Sequence, residues 1–261
     1  MNATIEVLEK RKSTRNYAPT PVSADEKAAI LHAAMRAPTA GGLMLYSILE
    51  IEDQQLKERL AVTCDNQPFI AKAPLVLLFA ADYQRQYDYY QYCHVEDECQ
   101  ERGVSPRPPQ EGDMLLACCD ALIAAQNAVI AAESLGIGSC YIGDILENYE
   151  LHRDLLQLPP YVLPVTLLCF GRPAVEKAEK RLVLRYDPAF IVFKNHYHRL
   201  SGSEFDEMMS ASARHNHPEK SLSEAVKAVG QEIYFRKFVS AFSVEMTRSV
   251  REMFKNWSKE N

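Results

Sequence analysis

The stretch MLLACCDALIAAQNAVIAAESLGIGSCYIGD, residues 114–144, decides the fold class. From Met114 to Leu135 it is rich in Ala, Leu and Ile around its circumference, which predicts a helix buried in a core or a subunit interface. Asp120, Gln126, Asn127 and Glu133 interrupt the run, so it offers no unbroken apolar segment of spanning length and no membrane partner is expected. Gly136 stands where a helix closes on a left-handed residue, and 138–142 reads as a short extended segment. Working outward, LVLLFAA at 75–81 follows Pro74 as a continuous apolar run, the pattern of a strand buried on both faces. LYSILEIE at 45–52 and LPVTLLCF at 163–170 predict two more strands. Ser23-Ala-Asp-Glu26 is a capping box opening a helix that must stop near Pro38. Helix and strand alternate, so the class is mixed α and β.

Composition sets the outer limits. The 261 residues are 47% hydrophobic and 25% charged, ordinary values for a globular chain, which excludes wholesale disorder. A net charge of −6 argues against a nucleic-acid partner, which would need a basic face, but leaves room for a small anion in a local basic pocket. The seven cysteines form no CxxC pair, and the opening MNATIEVLEKRKSTR is charged without an apolar stretch, so a reducing, cytoplasmic location is expected. Two parts exceed a compact core. Residues 83–113, with Tyr87, Tyr89, Tyr90 and Tyr92 followed by an acidic group and SPRPP, read as an insertion, either a lid or a solvated excursion. Residues 201–220 read as a polar linker, and Ser221-Leu-Ser-Glu224 as a capping box opening one helix or a helix pair through about Trp257. The expected division is a domain at 1–200 and a helical extension at 201–261.

Lys10, Arg11, Lys12 and Arg15 concentrate positive charge around Ser13 and Thr14 in an otherwise acidic chain. Guanidinium forks with a neutral hydroxyl suit a phosphate, although a solvated basic turn fits the same residues. Pro38-Thr39-Ala40-Gly41-Gly42 is a small-residue turn through which backbone could approach a flat ligand. The Gly136–Asp144 run closes a helix and enters a strand, the reverse of a dinucleotide-binding fingerprint. Cys93, His94 and Cys99 match no zinc spacing, so no metal is expected.

Five segments, in order, resemble the FMN-dependent nitroreductase family. Arg11-Lys12-Ser13-Thr14-Arg15-Asn16-Tyr17 is similar to its opening Arg-x-Ser-x-Arg-x-aromatic, and Ala37-Pro38-Thr39-Ala40-Gly41 to its Ala-Pro-Ser/Thr-Ala-Gly turn. Asn66-Gln67-Pro68-Phe69-Ile70 resembles its flavin-edge segment, Gly136–Gly143 its glycine-rich loop, and Phe170-Gly171-Arg172-Pro173 with Lys180-Arg181 its closing strand and second phosphate clamp. The resemblance implies an α+β fold with three α/β/α layers, a mostly antiparallel central sheet, and an obligate homodimer with FMN at the subunit interface. It implies two-electron, ping-pong transfer from NADPH or NADH through FMN to a nitroaromatic, quinone or similar small acceptor. Dehalogenation or flavin destruction on the same fold, or plain FMN binding, are the alternatives. It assigns Arg11, Lys12, Ser13, Arg15, Lys180 and Arg181 to the phosphate and ribityl chain. Thr39 and Gly41 fall to the ring from the partner subunit, Asn66 and Gln67 to the pyrimidine edge, and Tyr141, Ile142, Gly143 and Asp144 to the isoalloxazine face. Arg15 and Gln67 are the expected tuning groups beside N1 and O2, and no side-chain acid or nucleophile is required. Gly42 and Met44 depart from the family's polar pattern.

Overall fold

The computed structural model describes residues 2–174 and 182–258. Four strands, β1 (Tyr46–Glu50), β2 (Leu75–Asp82), β3 (Gly138–Ile142) and β4 (Val162–Gly171), form one sheet in the order β1-β2-β4-β3. Every pairing between them is antiparallel. Eight helices accompany the sheet in its half of the chain: α1 (Ala3–Lys10), α2 (Ala24–Met35), α3 (Gln54–Thr63), α4 (Phe69–Lys72), α5 (Gln84–Tyr92), α6 (Val95–Arg102), α7 (Glu111–Ser134) and α8 (Tyr149–Leu155).

All of β2 is buried, because both faces of the sheet are covered. Leu75, Leu77 and Phe79 join Leu168 and Phe170 against α2 and α7, while Val76 and Leu78 join Leu167, Cys169, Cys140 and Ile142 against α3 and α4. Strand alternation thus places two cores back to back and gives the expected three layers. The pairing with β4 shifts register between Phe79 and Ala80, and Ala81 lies in a third cluster with Leu45, Tyr149, Tyr161 and Trp257.

Local chemistry sets the helix ends. Ser23 and Glu26 make both halves of the capping box of α2, and the Asp53 carboxylate caps α3 by accepting from Leu56 N at 2.6 Å. In α7 the small residues Ala117, Ala121, Ala124, Ala125 and Ala128 are fully buried and let the helix lie close to α2 and the sheet. Its opposite side leaves Leu115, Leu116, Leu122 and Ile123 exposed, so the helix is core on one face only.

The insertion folds as α5 and α6 followed by an extended stretch to Gln110. Tyr87 packs edge-on against Tyr161 with centroids 5.4 Å apart, which ties α5 to the third cluster. Arg85, also on α5, donates to the carbonyls of Met44 and Tyr46 at the start of β1.

The chain divides into two compact units, residues 1–180 with 245–261, and residues 181–244. The expected boundary at 200 is therefore displaced, and the C-terminal stretch is not a single extension. Helix α9 spans Gly202–Asn216, α10 Leu222–Ile233 and α11 Ala241–Trp257. Met253 and Trp257 of α11 belong to the first unit's core, where the Trp257 indole packs on Tyr161 and donates to Gln110 O at 3.1 Å. The linker expected at 201–220 is mostly helix. Ser201 and Glu204 form a second Ser-x-x-Glu capping box hidden in polar composition, and Met209 and Ala213 pack on Ala225, Val226 and Val229 of α10.

Candidate functional site

The basic segment is held as an added strand. After α1 ends, Ser13 pairs in parallel with Ser139 of β3, and Thr14 N donates to Ser139 O at 2.8 Å. Further on, Tyr17 pairs with Pro173, and Ala18 N donates to Arg172 O at 2.8 Å. Two glycines make room for this approach. A Cβ on Gly138 would lie 2.2 Å from Thr14 Oγ1, and one on Gly171 would lie 2.7 Å from both Pro74 Cδ and Tyr17 Cδ1. Gly138→Ala should therefore push the 11–18 segment off β3 and cost about 1–3 kcal/mol by overpacking. Thermal unfolding of the single variant and of Gly138→Ala with Thr14→Ala checks this. The second change, which removes the clashing hydroxyl, should recover part of the loss.

With the segment fixed, Arg11, Ser13 and Arg15 gather over Cys140. Burial pushes the Cys140 thiol up, while the Arg15 and Arg11 charges and hydrogen bonds from Ser13 and Arg15 oppose the shift. Arg11 is half-buried, and its Nη1 atom is buried with no hydrogen-bond partner among the described residues. A buried guanidinium nitrogen without an acceptor is costly. The Arg15 guanidinium is exposed and sits 5.9 Å from the centroid of the Phe69 ring.

Phe69 follows the Asn66–Gln67 turn, so this contact brings the third motif to the first. Asp65 and Asn66 both adopt left-handed backbone, at φ 58° and 51°, and Gln67 N returns to Ala61 O at 2.7 Å. The Gln67 amide nitrogen donates to Asp144 Oδ2 at 2.7 Å and to Cys64 O at 2.9 Å. Both neighbours are acceptors, so the amide orientation follows from the network. Both N–H groups are engaged inside the protein, so Gln67 has no amide donor left for the expected tuning role beside N1 and O2, and only its amide oxygen remains.

The glycine-rich loop completes the cluster. The Tyr141 hydroxyl donates to Gln126 Oε1 at 3.1 Å, and burial pushes its pKa up to about 12. Ile142 is core, Gly143 is exposed, and Asp144 is half-buried against Gln67. Three motifs thus converge within this chain, at Arg11–Arg15, Asn66–Phe69 and Tyr141–Asp144. No contact brings the Thr39–Gly41 turn to them among the described residues. That turn has its own anchor: the buried Asp120 carboxylate of α7 accepts from Ala40 N at 2.9 Å and Leu45 N at 3.1 Å. Gly41, Gly42 and Met44 between them all have positive φ. Lys180 and Arg181 lie outside the described residues.

Two acidic groups escaped the sequence reading. Asp120 looked like an interruption of an apolar helix, and its partners lie 75 and 80 residues away in sequence. Glu147 lies just beyond the glycine-rich run, is buried, and has one carboxyl oxygen without a partner among the described residues. Its pKa rises to about 7, chiefly through burial, then through Asp144 and Asp65. Among the described residues, no group of three or more His, Cys, Asp or Glu is placed to hold a metal ion.

The sheet with helices on both faces, and a basic strand laid over a glycine-rich loop, define a two-faced α+β scaffold with a basic edge. The chain belongs to the Nitroreductase family, whose model matches residues 8–172. It is 33% identical over 176 residues to the FMN reductase (NADPH) of Bacillus subtilis strain 168, covering 67% of each chain. It is 33% identical over 213 residues to the oxygen-insensitive NADPH nitroreductase of Salmonella typhimurium strain LT2, covering 80% of this chain and 82% of that one. The NADPH:FMN oxidoreductase of Vibrio harveyi, solved with NAD+, shares the fold with a TM-score of 0.78 at 22% identity, over 97% of this chain and 98% of that one.

Proposed function

We propose that this protein is an FMN-dependent NAD(P)H oxidoreductase of nitroreductase type, acting on a small nitroaromatic, quinone or similar acceptor. The observation that carries this reading is the buried Arg11 Nη1, which has no partner among the described residues and is held beside Ser13 on a strand whose position two glycines make possible. A phosphate would supply the missing acceptor with matching charge. Family membership and relatives named for NADPH and FMN support the same assignment.

In this reading Arg11, Ser13 and the Lys12 backbone hold the phosphate and ribityl chain, with Lys180 and Arg181 as further phosphate contacts. Arg15 supplies positive charge near the ring. Gln67, with Asn66, meets the pyrimidine edge through its amide oxygen, an acceptor for a ring N–H. Tyr141, Ile142, Gly143 and Asp144 bound the ring face, and Thr39 and Gly41 reach it from a second subunit. When bound, FMN supplies two-electron transfer between the nicotinamide and the acceptor. The protein's part is to bind, orient and set charge around it.

A homodimer follows from the same reading. Leu115, Leu116, Leu122 and Ile123 line the outward side of α7, and Ile5 and Leu8 of α1 are also exposed. Apolar side chains at this helical spacing fit a second copy of the chain. In the unit at 181–244, Tyr234, Phe235 and Phe238 are exposed, and this unit is the candidate to wrap the partner. The seven free cysteines fit a reducing, cytoplasmic compartment.

The test is the absorption spectrum of the purified protein. It should show bound flavin, bleach on anaerobic addition of NADPH, and recover when a nitroaromatic or quinone is added. Bound flavin that neither NADPH nor NADH bleaches would leave a flavin carrier instead of an enzyme.

A further inference from the structure

His152 of α8 is a fully buried titratable side chain that is not among the residues meeting the flavin. Both of its ring nitrogens are engaged. Nδ1 lies 2.9 Å from Ile145 O, and Nε2 lies 2.8 Å from Thr63 Oγ1. A carbonyl oxygen only accepts, so Nδ1 carries the hydrogen and donates to Ile145 O. Burial depresses the pKa of the ring, so at neutral pH it is uncharged and Nε2 accepts from the Thr63 hydroxyl.

These two contacts join segments that also meet at the flavin site. Ile145 follows Asp144 directly in the 3-10 turn at Gly143–Leu146, and Thr63 is the last residue of α3, four positions before Gln67. The same two segments are tied by the Gln67 amide, which donates to Asp144 Oδ2 at 2.7 Å. A further tie comes from Asn148, whose backbone is left-handed at φ 50° and whose Nδ2 donates to Thr63 O at 2.9 Å. Asn148 is itself held from α11, where the Glu245 carboxylate accepts from its backbone N–H at 3.0 Å. A side chain at a binding site keeps its geometry only when the groups behind it are held in turn. Here α8 braces the end of α3 against the turn, so that Asp144 and Gln67 meet at one separation.

We propose that His152 is a positioning residue, a strut between Ile145 and Thr63 that holds Asp144 and Gln67 at bonding distance and so fixes the Gln67 amide oxygen toward the flavin. The inference rests on the reading of this site as the FMN site. A neutral imidazole suits the task because one rigid ring offers a donor and an acceptor in fixed, divergent directions. The Thr63 hydroxyl has a second acceptor within reach, Arg59 O at 3.0 Å on its own helix. Loss of Nε2 therefore leaves no buried hydroxyl stranded. What goes is the brace between the two segments, and with it the fixed orientation of the Gln67 amide.

The experiment is FMN affinity of the full-length apoprotein, read by quenching of flavin fluorescence, with thermal unfolding of each apoprotein as the check on folding. His152→Asn keeps an N–H toward Ile145 O, because the Asn amide nitrogen can stand where Nδ1 stood, but it has nothing facing Thr63. It should weaken FMN binding by about threefold to tenfold, the range of one net hydrogen bond. Thr63→Val removes the same contact from the other side and should give the same loss; it carries the test if His152→Asn fails to fold. Thr63→Ser, which keeps the hydroxyl, should recover the affinity. The double variant should be no weaker than either single change, since both remove one contact. In a Gln67→Leu background either change should alter FMN affinity by less than about twofold, because the amide being positioned is gone. A merely structural role instead gives the same loss with and without Gln67. That outcome, or wild-type affinity in the folded single variants, overturns the inference while leaving the FMN site in place. Absence of FMN binding by wild type overturns both.

Discussion

Arg11→Ala should weaken FMN binding by about 10–100-fold, the loss of a hydrogen bond to a charged group worth roughly 1.5–3 kcal/mol. The apoprotein should lose nothing in stability, because the Nη1 atom has no partner among the described residues to give up. Removal of a buried unsatisfied donor is, if anything, favourable. This separation of the two effects distinguishes a ligand-binding arginine from a structural one. Arg11→Lys should fall between, since an ammonium keeps the charge but not the planar fork. Flavin fluorescence titration and thermal unfolding, run on the same preparations, read the two quantities independently. A large drop in melting temperature with unchanged flavin affinity would falsify the assignment.

Asp120→Ala should lower the stability of the protein by about 2–4 kcal/mol, since it strips an acceptor from the Ala40 and Leu45 amides at once. For a chain of this size that corresponds to roughly 10 °C in melting temperature. Asp120→Asn retains one acceptor oxygen and should cost about half as much. The effect should extend to flavin binding, because the carboxylate spans a turn in which Gly41, Gly42 and the non-glycine Met44 all hold left-handed backbone. Once released, that turn relaxes, and the small-residue surface it presents is lost. Differential scanning calorimetry with and without FMN measures both consequences. An unchanged unfolding temperature would mean that solvent satisfies the two amides as well as the carboxylate does.

What the sequence made legible was whatever depends on local pattern. The run at 75–81 is a strand buried on both faces because both its odd and even positions are apolar, and β2 is fully buried. The long α7 and the strands after it follow from periodicity and from Gly136, whose φ is 73°. The α9 helix is hidden in the sequence although Ser201 and Glu204 carry the same cap as Ser23 and Glu26, because the surrounding residues are polar and mask the short apolar stripe. The site was legible only as a set of segments. That the basic segment is a strand depends on Gly138 and Gly171 meeting Thr14 and Tyr17, contacts between parts of the chain more than 120 residues apart. Which end of the Gln67 amide faces outward depends on Asp144, 77 residues away. No spacing rule in one sequence encodes either fact.

The contacts of Arg85 have a consequence for the behaviour of the protein in concentrated solution. A four-stranded sheet with free margins is a template on which another chain can add and propagate into aggregates. Here β3 is bordered by the 13–17 segment, and β1, at the other margin, has its first carbonyls engaged by a guanidinium. Arg85, paired with Asp82, thus occupies backbone acceptors at this margin that an added strand would use. Its loss would free those acceptors for an added strand, so Arg85→Ala should raise light scattering of concentrated protein above that of wild type.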